Sequence, residues 1–432
     1  MPAPTYCAID FGTSNSAIAL PQAGGGVSLV ELEPGHRTMP TAVFYAVEGA
    51  SPHDEMPRYY GRAAISAYID GLDGRLMRSM KSVLGSALIE TSTDVGGGRA
   101  VRFIDVIGGY LRHLKQLAEA QAGVPLKRVV LGRPVFFVDD DPARDAQAQA
   151  ALAAAARSVG FDEISFQYEP IAAALDFEQQ ADREQRVLVA DIGGGTSDFS
   201  IVRVGPERRL RRERKDDILA NHGVHIAGTD FDRHIELLSI LPACGYKSHG
   251  PSTRGEAPRE VPSRVYFDLA TWHLINTVYA PARVAELRRM RSFYADTRLH
   301  DRLMRVVTER LGHALAGLAE DAKIAVAEGG TTEIDLDLIE DELSVGLTER
   351  EAAGAIDADL QRIVDAAAET LRQAGLKPDE VDVLYFTGGS TGLAPLTERI
   401  AACFPSARAM RGDRFASVAQ GLGVHAQRHF GA

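Results

Sequence analysis

Residues 9–16 read Ile9-Asp10-Phe11-Gly12-Thr13-Ser14-Asn15-Ser16, and residues 191–198 read Asp191-Ile192-Gly193-Gly194-Gly195-Thr196-Ser197-Asp198. Each stretch closes one apolar run, Ala8-Ile9-Asp10 or Val187-Leu188-Val189-Ala190-Asp191. Each also opens another, Ser16-Ala17-Ile18-Ala19-Leu20 or Phe199-Ser200-Ile201-Val202-Arg203-Val204. Short apolar runs on either side of a glycine turn read as buried strands joined tightly. The copies stand much further apart than the period of any solenoid repeat, so the pattern predicts a duplicated lobe.

The turns carry a chemistry as well as a fold. Glycine lets backbone N–H groups approach phosphate oxygens closely, because no Cβ intervenes and positive φ is open to it. An Asp closing the strand just before such a turn suits a carboxylate holding Mg2+ beside phosphates, directly or through water. Thr13, Ser14 and Thr196 add hydroxyl groups. One such turn alone reads as a hairpin in which Asp satisfies local backbone groups. Two matching turns in separate lobes favour phosphate binding. No GxxxxGK[ST] occurs, and each turn leads into a strand, so this is not a P-loop. A third glycine site, Leu384-Tyr385-Phe386-Thr387-Gly388-Gly389-Ser390-Thr391, reads as a strand, a turn and the start of a helix. Such a turn can press backbone against a ribose or phosphate.

Outward from these turns the pattern alternates. Ile104, Ile107, Leu111 and Leu114 recur at helical spacing, and Val129-Val130-Leu131 is a short buried strand. An alanine-rich helix is expected over 143–158, a strand at Ile164-Ser165-Phe166, and a helix over 358–374. A strand from Val381 to Phe386 follows. The alternation predicts an α/β protein. Glycine-rich spots lie at Gly24-Gly25-Gly26 and Gly96-Gly97-Gly98. Residues 242–300, rich in Pro, Arg and aromatics and holding the single tryptophan Trp272, read as irregular. The basic run Arg208-Arg209-Leu210-Arg211-Arg212-Glu213-Arg214-Lys215 reads as an exposed hairpin.

Composition sets the class. The chain has 432 residues, and a single core seldom grows past about 250–300, so at least two lobes are expected. An apolar fraction of 45% and a charged fraction of 25% are ordinary globular values. The formal net charge of −12 argues against nucleic acid or an anionic membrane as partner. Cys7, Cys244 and Cys403 are scattered without CxxC spacing, and His222, His225 and His234 lack a completing ligand pattern, so no zinc site is indicated. There is no basic-then-apolar leader at Met1 and no run of about 18 apolar residues. The expectation is a soluble, cytoplasmic protein.

Five motifs in order resemble those of the DnaK heat-shock chaperone family. Residues 9–16 resemble its first phosphate motif and residues 191–198 its second. Tyr168-Glu169-Pro170-Ile171-Ala172-Ala173-Ala174-Leu175 resembles the first connecting helix, Thr387-Gly388-Gly389-Ser390-Thr391 the adenosine motif, and Ala416-Ser417-Val418-Ala419-Gln420-Gly421-Leu422-Gly423 the second connecting helix. The Phe166-to-Pro170 and Gly132-Arg133-Pro134 variants are most similar to the YegD-like branch, whose members consist of the nucleotide-binding part alone. The resemblance implies an actin-like ATPase fold, two ribonuclease-H-like lobes around a central nucleotide cleft. The expected division is lobe I over 1–186, with core 1–38 and 106–186 and an insertion over 39–105. Lobe II is expected over 187–412, with core 187–228 and 348–412 and an insertion over 229–347. A connecting helix over 413–432 would pack back on lobe I.

The resemblance also implies residue roles. Lys81, in Met80-Lys81-Ser82-Val83-Leu84-Gly85, matches the catalytic lysine segment. Asp10, Glu169 and Asp191 would surround hydrated Mg2+, and Thr196 and Asp198 would lie near the γ-phosphate. Gly12, Thr13, Ser14, Asn15, Gly193, Gly194 and Gly195 would contact phosphate. Gly228 and Thr229, Glu320 and Lys323, and Gly388, Gly389 and Ser390 would contact the nucleoside side. Pro134 matches a proline that senses nucleotide state. The implied cofactors are Mg2+ and ATP/ADP, with K+ as a further cation, and the implied partner is a client or partner protein. Ile324, Ala327 and Gly392 stand where the family has Arg, Ser and Arg, which removes stacking and hydrogen-bond partners from the base side. The chain stops at Ala432, so no peptide-binding domain is expected after the second connecting helix. The leading expectation is a slow, chaperone-like ATPase. Alternatives are a nucleotide-dependent regulatory switch with little turnover, a small-molecule kinase of the same superfamily and an actin-like filament subunit.

Overall fold

In a computed structural model, the structure describes residues 5–431 apart from 23–25, 48–54, 139–140, 210, 212, 252–257, 273, 328 and 413–415. Gly24, Gly25, Leu210 and Arg212 therefore lie outside the described residues. The chain forms two compact units. The first comprises residues 1–224, 365–391 and 400–432, the second 225–364 and 392–399.

The first unit is built on two sheets with one topology. Strands β1 (Tyr6–Phe11), β2 (Asn15–Pro21), β3 (Val27–Leu29), β4 (Arg128–Arg133) and β5 (Glu163–Tyr168) run in the order β5-β4-β1-β2-β3. Strands β6 (Gln185–Ile192), β7 (Ser197–Val204), β8 (Ile218–Val224), β9 (Val383–Thr387) and β10 (Arg408–Arg411) run in the order β10-β9-β6-β7-β8. In both sheets the central strand pairs antiparallel with the next strand in sequence and parallel with its other neighbour. Crossover helices make the parallel pairings possible. Helix α1 (Phe103–Ala122) buries Val106, Ile107, Tyr110, Leu111, Leu114 and Ala118 along one stripe and stops at Gly123, left-handed at φ 70°. Helix α2 (Pro142–Ser158) starts with Pro142 behind Asp141, whose side chain accepts from the Arg144 amide.

Two further helices fill the space between the sheets. Helix α3 (Glu169–Gln180) packs on β6 and β7, and α8 (Ser417–Phe430) packs on α3, β1, β2 and β4. Their apolar faces join Ala8, Ala17, Ala19 and Val130 of one sheet and Val187, Val189, Val202 and Val383 of the other in one core. Covered on both faces, the central strands are continuously apolar rather than alternating. An insertion after β3 adds a three-stranded sheet ordered Arg58–Tyr60, Ala42–Ala46, Gly74–Arg78.

The second unit holds α4 (Gly228–Ile235), a π-helical turn Glu236–Ile240, α5 (Gly312–Val326) and the hairpin Thr331–Asp335 with Ser344–Thr348. Helix α6 (Asp357–Gln373) carries the chain from this unit into the first, and α7 (Ala394–Ala402) begins after the third glycine turn. Where residues 242–300 read as irregular, the described part folds into short helices, Arg264–Leu269, Ile275–Val278 and Pro281–Arg289, with Thr297–Thr308 beginning at its end. They share one core around Tyr266, Leu269, Leu287 and Leu303, so packing rather than periodicity holds them. The basic run also departs from the expected exposed hairpin. Arg214 is buried, donating to Glu178 at 2.8 and 3.1 Å and pairing with buried Asp217. A fully buried Glu178 would be costly without that guanidinium. Among the described residues no helix is long and apolar enough to cross a membrane.

Candidate functional site

Asp10 and Asp191 hold the same place in the two copies, each next to last on the central strand of its sheet. The turn after β1 is tight: a Cβ on Gly12 would lie 2.1 Å from the Asn15 carbonyl oxygen. Thr41 braces it, its amide donating to Ser14 O at 2.9 Å and its hydroxyl to Gly12 O at 2.8 Å. In the turn after β6 the Gly193 amide donates to Thr196 O at 3.0 Å. The two turns meet, since a Cβ on Gly194 would lie 3.2 Å from Ser14 Oγ. The third turn closes on the second. Gly388 adopts φ 88°, its Cβ would lie 2.4 Å from Ile192 O and 2.7 Å from Asp191 Oδ1, and Ser390 Oγ donates to Gly193 O at 2.7 Å. Thr13 and Asn15, Gly195 and Thr196, and Gly389 belong to these same turns, with Asn15 and Gly195 exposed.

Lys81 reaches this place from a 3-10 turn, Met80–Val83, that follows Ser79 in the left-handed region at φ 53°. Its Nζ lies 2.5 Å from Glu169 Oε1, with the two side chains 10% and 16% exposed. Glu169 opens α3, and its carboxylate has room because residue 132 is glycine: a Cβ there would lie 3.3 Å from Glu169 Oε1. Asp198 stands directly opposite Asp191 in the β6–β7 pair, a like-charge pairing that costs stability in a sheet.

The charges are unbalanced. Burial, then the Glu169 carboxylate, pushes Asp10 up to about 8, with Lys81 opposing and Asp191 adding. Burial, then Asp198 and Glu169, pushes Asp191 up to about 7. For Lys81, burial works against the ammonium, but Glu169, Asp10 and Asp191 outweigh it and raise its pKa. Carboxylates raised this far are held near surplus negative charge that a bound cation would relieve. Among the described residues no three of His, Cys, Asp and Glu gather closely enough to ligate an ion directly. A hard cation that keeps its own waters suits this donor set.

In the second unit Gly228 opens α4, and Lys323 of α5 places Nζ 3.4 Å from Gly228 O and 2.6 Å from Asp232 Oδ1. Burial pushes Asp232 up to about 6, Lys323 opposing and Glu320 and Asp230 adding. Thr229 and Glu320 are exposed, and Ile324, the residue after Lys323, is 61% exposed. His234 Nε2 lies 3.0 Å from Asp359 Oδ2.

Sequence reasoning missed Thr41, Gly132 and Asp232. Thr41 arrives from a segment 29 residues after Gly12, with no motif to mark it. Gly132 stands in a quoted motif, but its purpose is visible only against Glu169. Asp232 lies in α4, where its spacing from Gly228 was the one available signal.

The sequence model of the family described as "Hsp70 protein" matches residues 91–237. The chaperone protein DnaK of Thermosipho melanesiensis is 27% identical over 346 residues, covering 76% of this chain and 53% of that protein. The chain is similar to the Hsp70 chaperones. It spans about half the length of that curated relative. The fold is the actin-like ATPase fold of that family, an α/β architecture with two sheets of matching topology.

Proposed function

We propose that the chain binds Mg2+ with ATP or ADP at the three converging glycine turns and hydrolyses ATP slowly, as a chaperone-family ATPase. The observation that carries this reading is the meeting of the duplicated turns, Gly194 against Ser14, with Gly388 closing on Asp191. Backbone amides of Gly12 to Asn15 and of Gly194 to Thr196 would face the phosphates, while Gly193, its amide turned to Thr196 O, would let the chain approach them closely. Asp10, Glu169 and Asp191 would hold the cation through its waters, and Mg2+ when bound would offset phosphate charge. Lys81, steadied by Glu169, would orient the attacking water together with Thr196 and Asp198, so that catalysis rests on positioning and charge stabilisation. For Gly228, Thr229, Glu320, Lys323, Gly389 and Ser390 the proposed role is nucleoside contact, resting on the sequence resemblance. K+ is a further proposed cation, on the same ground.

The lobe division at 186/187 is supported by the two sheets of equal topology, β1 to β5 and β6 to β10. Membership of the YegD-like branch, a cytoplasmic location and a protein partner are proposed with it. A regulatory switch with little turnover is the second reading, favoured by Ile324, which offers a bare alkyl surface beside Lys323.

Titration calorimetry with Mg·ATP and Mg·ADP, joined to phosphate release by wild type and Lys81→Ala, tests the proposal. The expected result is Mg-dependent binding and turnover, with Lys81→Ala lowering kcat about 100-fold and affinity only a few-fold. Binding without phosphate release selects the switch; no Mg-dependent binding sinks both readings.

A further inference from the structure

Arg133 is the last residue of β4, directly opposite Tyr168 in the β4–β5 register, and Glu169 follows Tyr168. All three nitrogens of its guanidinium donate. Nε donates to Pro134 O at 3.0 Å, Nη1 to Gln149 Oε1 at 2.5 Å, and Nη2 to Val135 O at 3.1 Å and to Asp145 at 2.8 and 3.1 Å. Its Cζ also lies over two rings, 5.0 Å from the Tyr168 centroid and 5.3 Å from that of Phe137. An ion pair alone would need only Asp145. The extra contacts join three pieces of chain: the end of β4 with its connection to α2, α2 itself through Gln149, and the β5–α3 junction that carries Glu169.

The same clamp reaches Lys81 from the other side. Asp145 accepts from the Phe137 amide at 2.6 Å, which fixes the 134–138 connection. Val138 packs on Gly85, where a Cβ would lie 2.2 Å from Val138 Cγ2. Arg144, next to Asp145, donates twice to Gly85 O, at 2.6 and 3.1 Å. Gly85 lies just past the turn that carries Lys81, and the Leu84 amide donates to Lys81 O at 3.2 Å. The contacts thus form a closed loop: Lys81 to Glu169, Tyr168 to Arg133, Asp145 and Phe137 to Val138 and Arg144, and Gly85 back to Lys81. Arg133 is its midpoint.

We propose that Arg133 is a positioning residue that holds the Lys81–Glu169 pair in register through this loop. It touches neither Lys81 nor any phosphate-facing turn. A planar fork with two stackable faces is required, so lysine cannot replace it despite its charge. The kinetic consequence rests on the ATPase reading above; the structural consequence does not.

The test uses the full chain with Arg133→Ala, Arg133→Lys and, as a milder opening of the loop, Tyr168→Leu. In the absence of nucleotide, each is acetylated briefly with a water-soluble N-hydroxysuccinimide ester, and Lys81 modification is measured by mass spectrometry against exposed Lys377. Lys81 labelling relative to Lys377 should rise about 3- to 10-fold in Arg133→Ala, as expected when a local contact opens without global unfolding. It should rise less in Tyr168→Leu and be only partly corrected in Arg133→Lys. In phosphate release, kcat should fall about 10- to 100-fold in Arg133→Ala with KM within about threefold, the mark of lost positioning. Unchanged Lys81 labelling in folded Arg133→Ala, or in Tyr168→Leu should Arg133→Ala not fold, overturns the proposal. Wild-type protein that releases no phosphate counts against the ATPase reading alone, because the labelling result still decides the role of Arg133.

Discussion

At the scale of residues, this protein places acids where ordinary folding would avoid them. Asp191 faces Asp198 across a strand pair, and Asp10, Glu169 and Asp191 share one ammonium, Lys81. That arrangement is costly unless a bound cation offsets it. Glu236 is a different case. It is 1% exposed in the π-helical turn, its Oε1 has no hydrogen-bond partner among the described residues, and burial followed by the nearby Asp232 raises its pKa well above the ordinary value of 4.5. A carboxyl kept protonated in the fold but ionised in the unfolded chain lowers stability as pH rises above that ordinary value. Glu236→Gln should therefore leave stability unchanged near pH 4 and raise it at pH 7, by roughly 1–3 kcal/mol. Denaturant melts at the two pH values check this; a gain that does not grow with pH would mean Glu236 is ionised in place.

At the scale of elements, close backbone approach decides the packing between the sheets. Helix α8 meets α3 at Gly421, where a Cβ would lie 1.9 Å from the Ala172 carbonyl oxygen. Neither backbone can yield without lifting α8 from β1 and β2, so Gly421→Ala should cost about 1–3 kcal/mol, as overpacking does. Thermal melts of Gly421→Ala beside Gly354→Ala, a helical glycine with open space around it, give the comparison. Equal melting temperatures would mean the two helices separate freely. The strands and helices of the first unit were legible because their apolar runs are long and bounded by Gly, Pro or Asp. Helix α2 is expected over 143–158 and forms over Pro142–Ser158. The short helices after residue 263 were not legible, since each buries only one to three side chains on its neighbours.

At the scale of the whole molecule, two compact units are assembled from five stretches of one chain. The second has its own core and holds Trp272, the only tryptophan, whose ring lies 4.4 Å from that of His313. Tryptophan fluorescence therefore reports on the second unit, while far-ultraviolet circular dichroism reports on both. Urea titration should give transitions at different midpoints by the two probes, because separate cores break two-state behaviour. On the proposed reading Mg·ADP should move the circular dichroism transition upward, because the three glycine turns belong to the folded first unit. Coincident transitions would show that the units unfold as one.

The sequence by itself determined the duplication and its turns. Asp10 to Asn15 and Asp191 to Asp198 are local patterns, in which a buried strand, a glycine and a hydroxyl residue specify one another within a few residues. It also marked Lys81 and Glu169, though only as members of separate motifs. Tertiary structure alone decided that these meet at 2.5 Å, that Thr41 braces the first turn, that Arg214 is buried on Glu178 rather than exposed, and that Arg133 ties β4 to α2 and α3. The reason is physical. Glycine turns and apolar runs are fixed by neighbours along the chain, whereas the partner of a charged side chain is set by which distant element packs beside it, and sequence spacing carries no record of that choice.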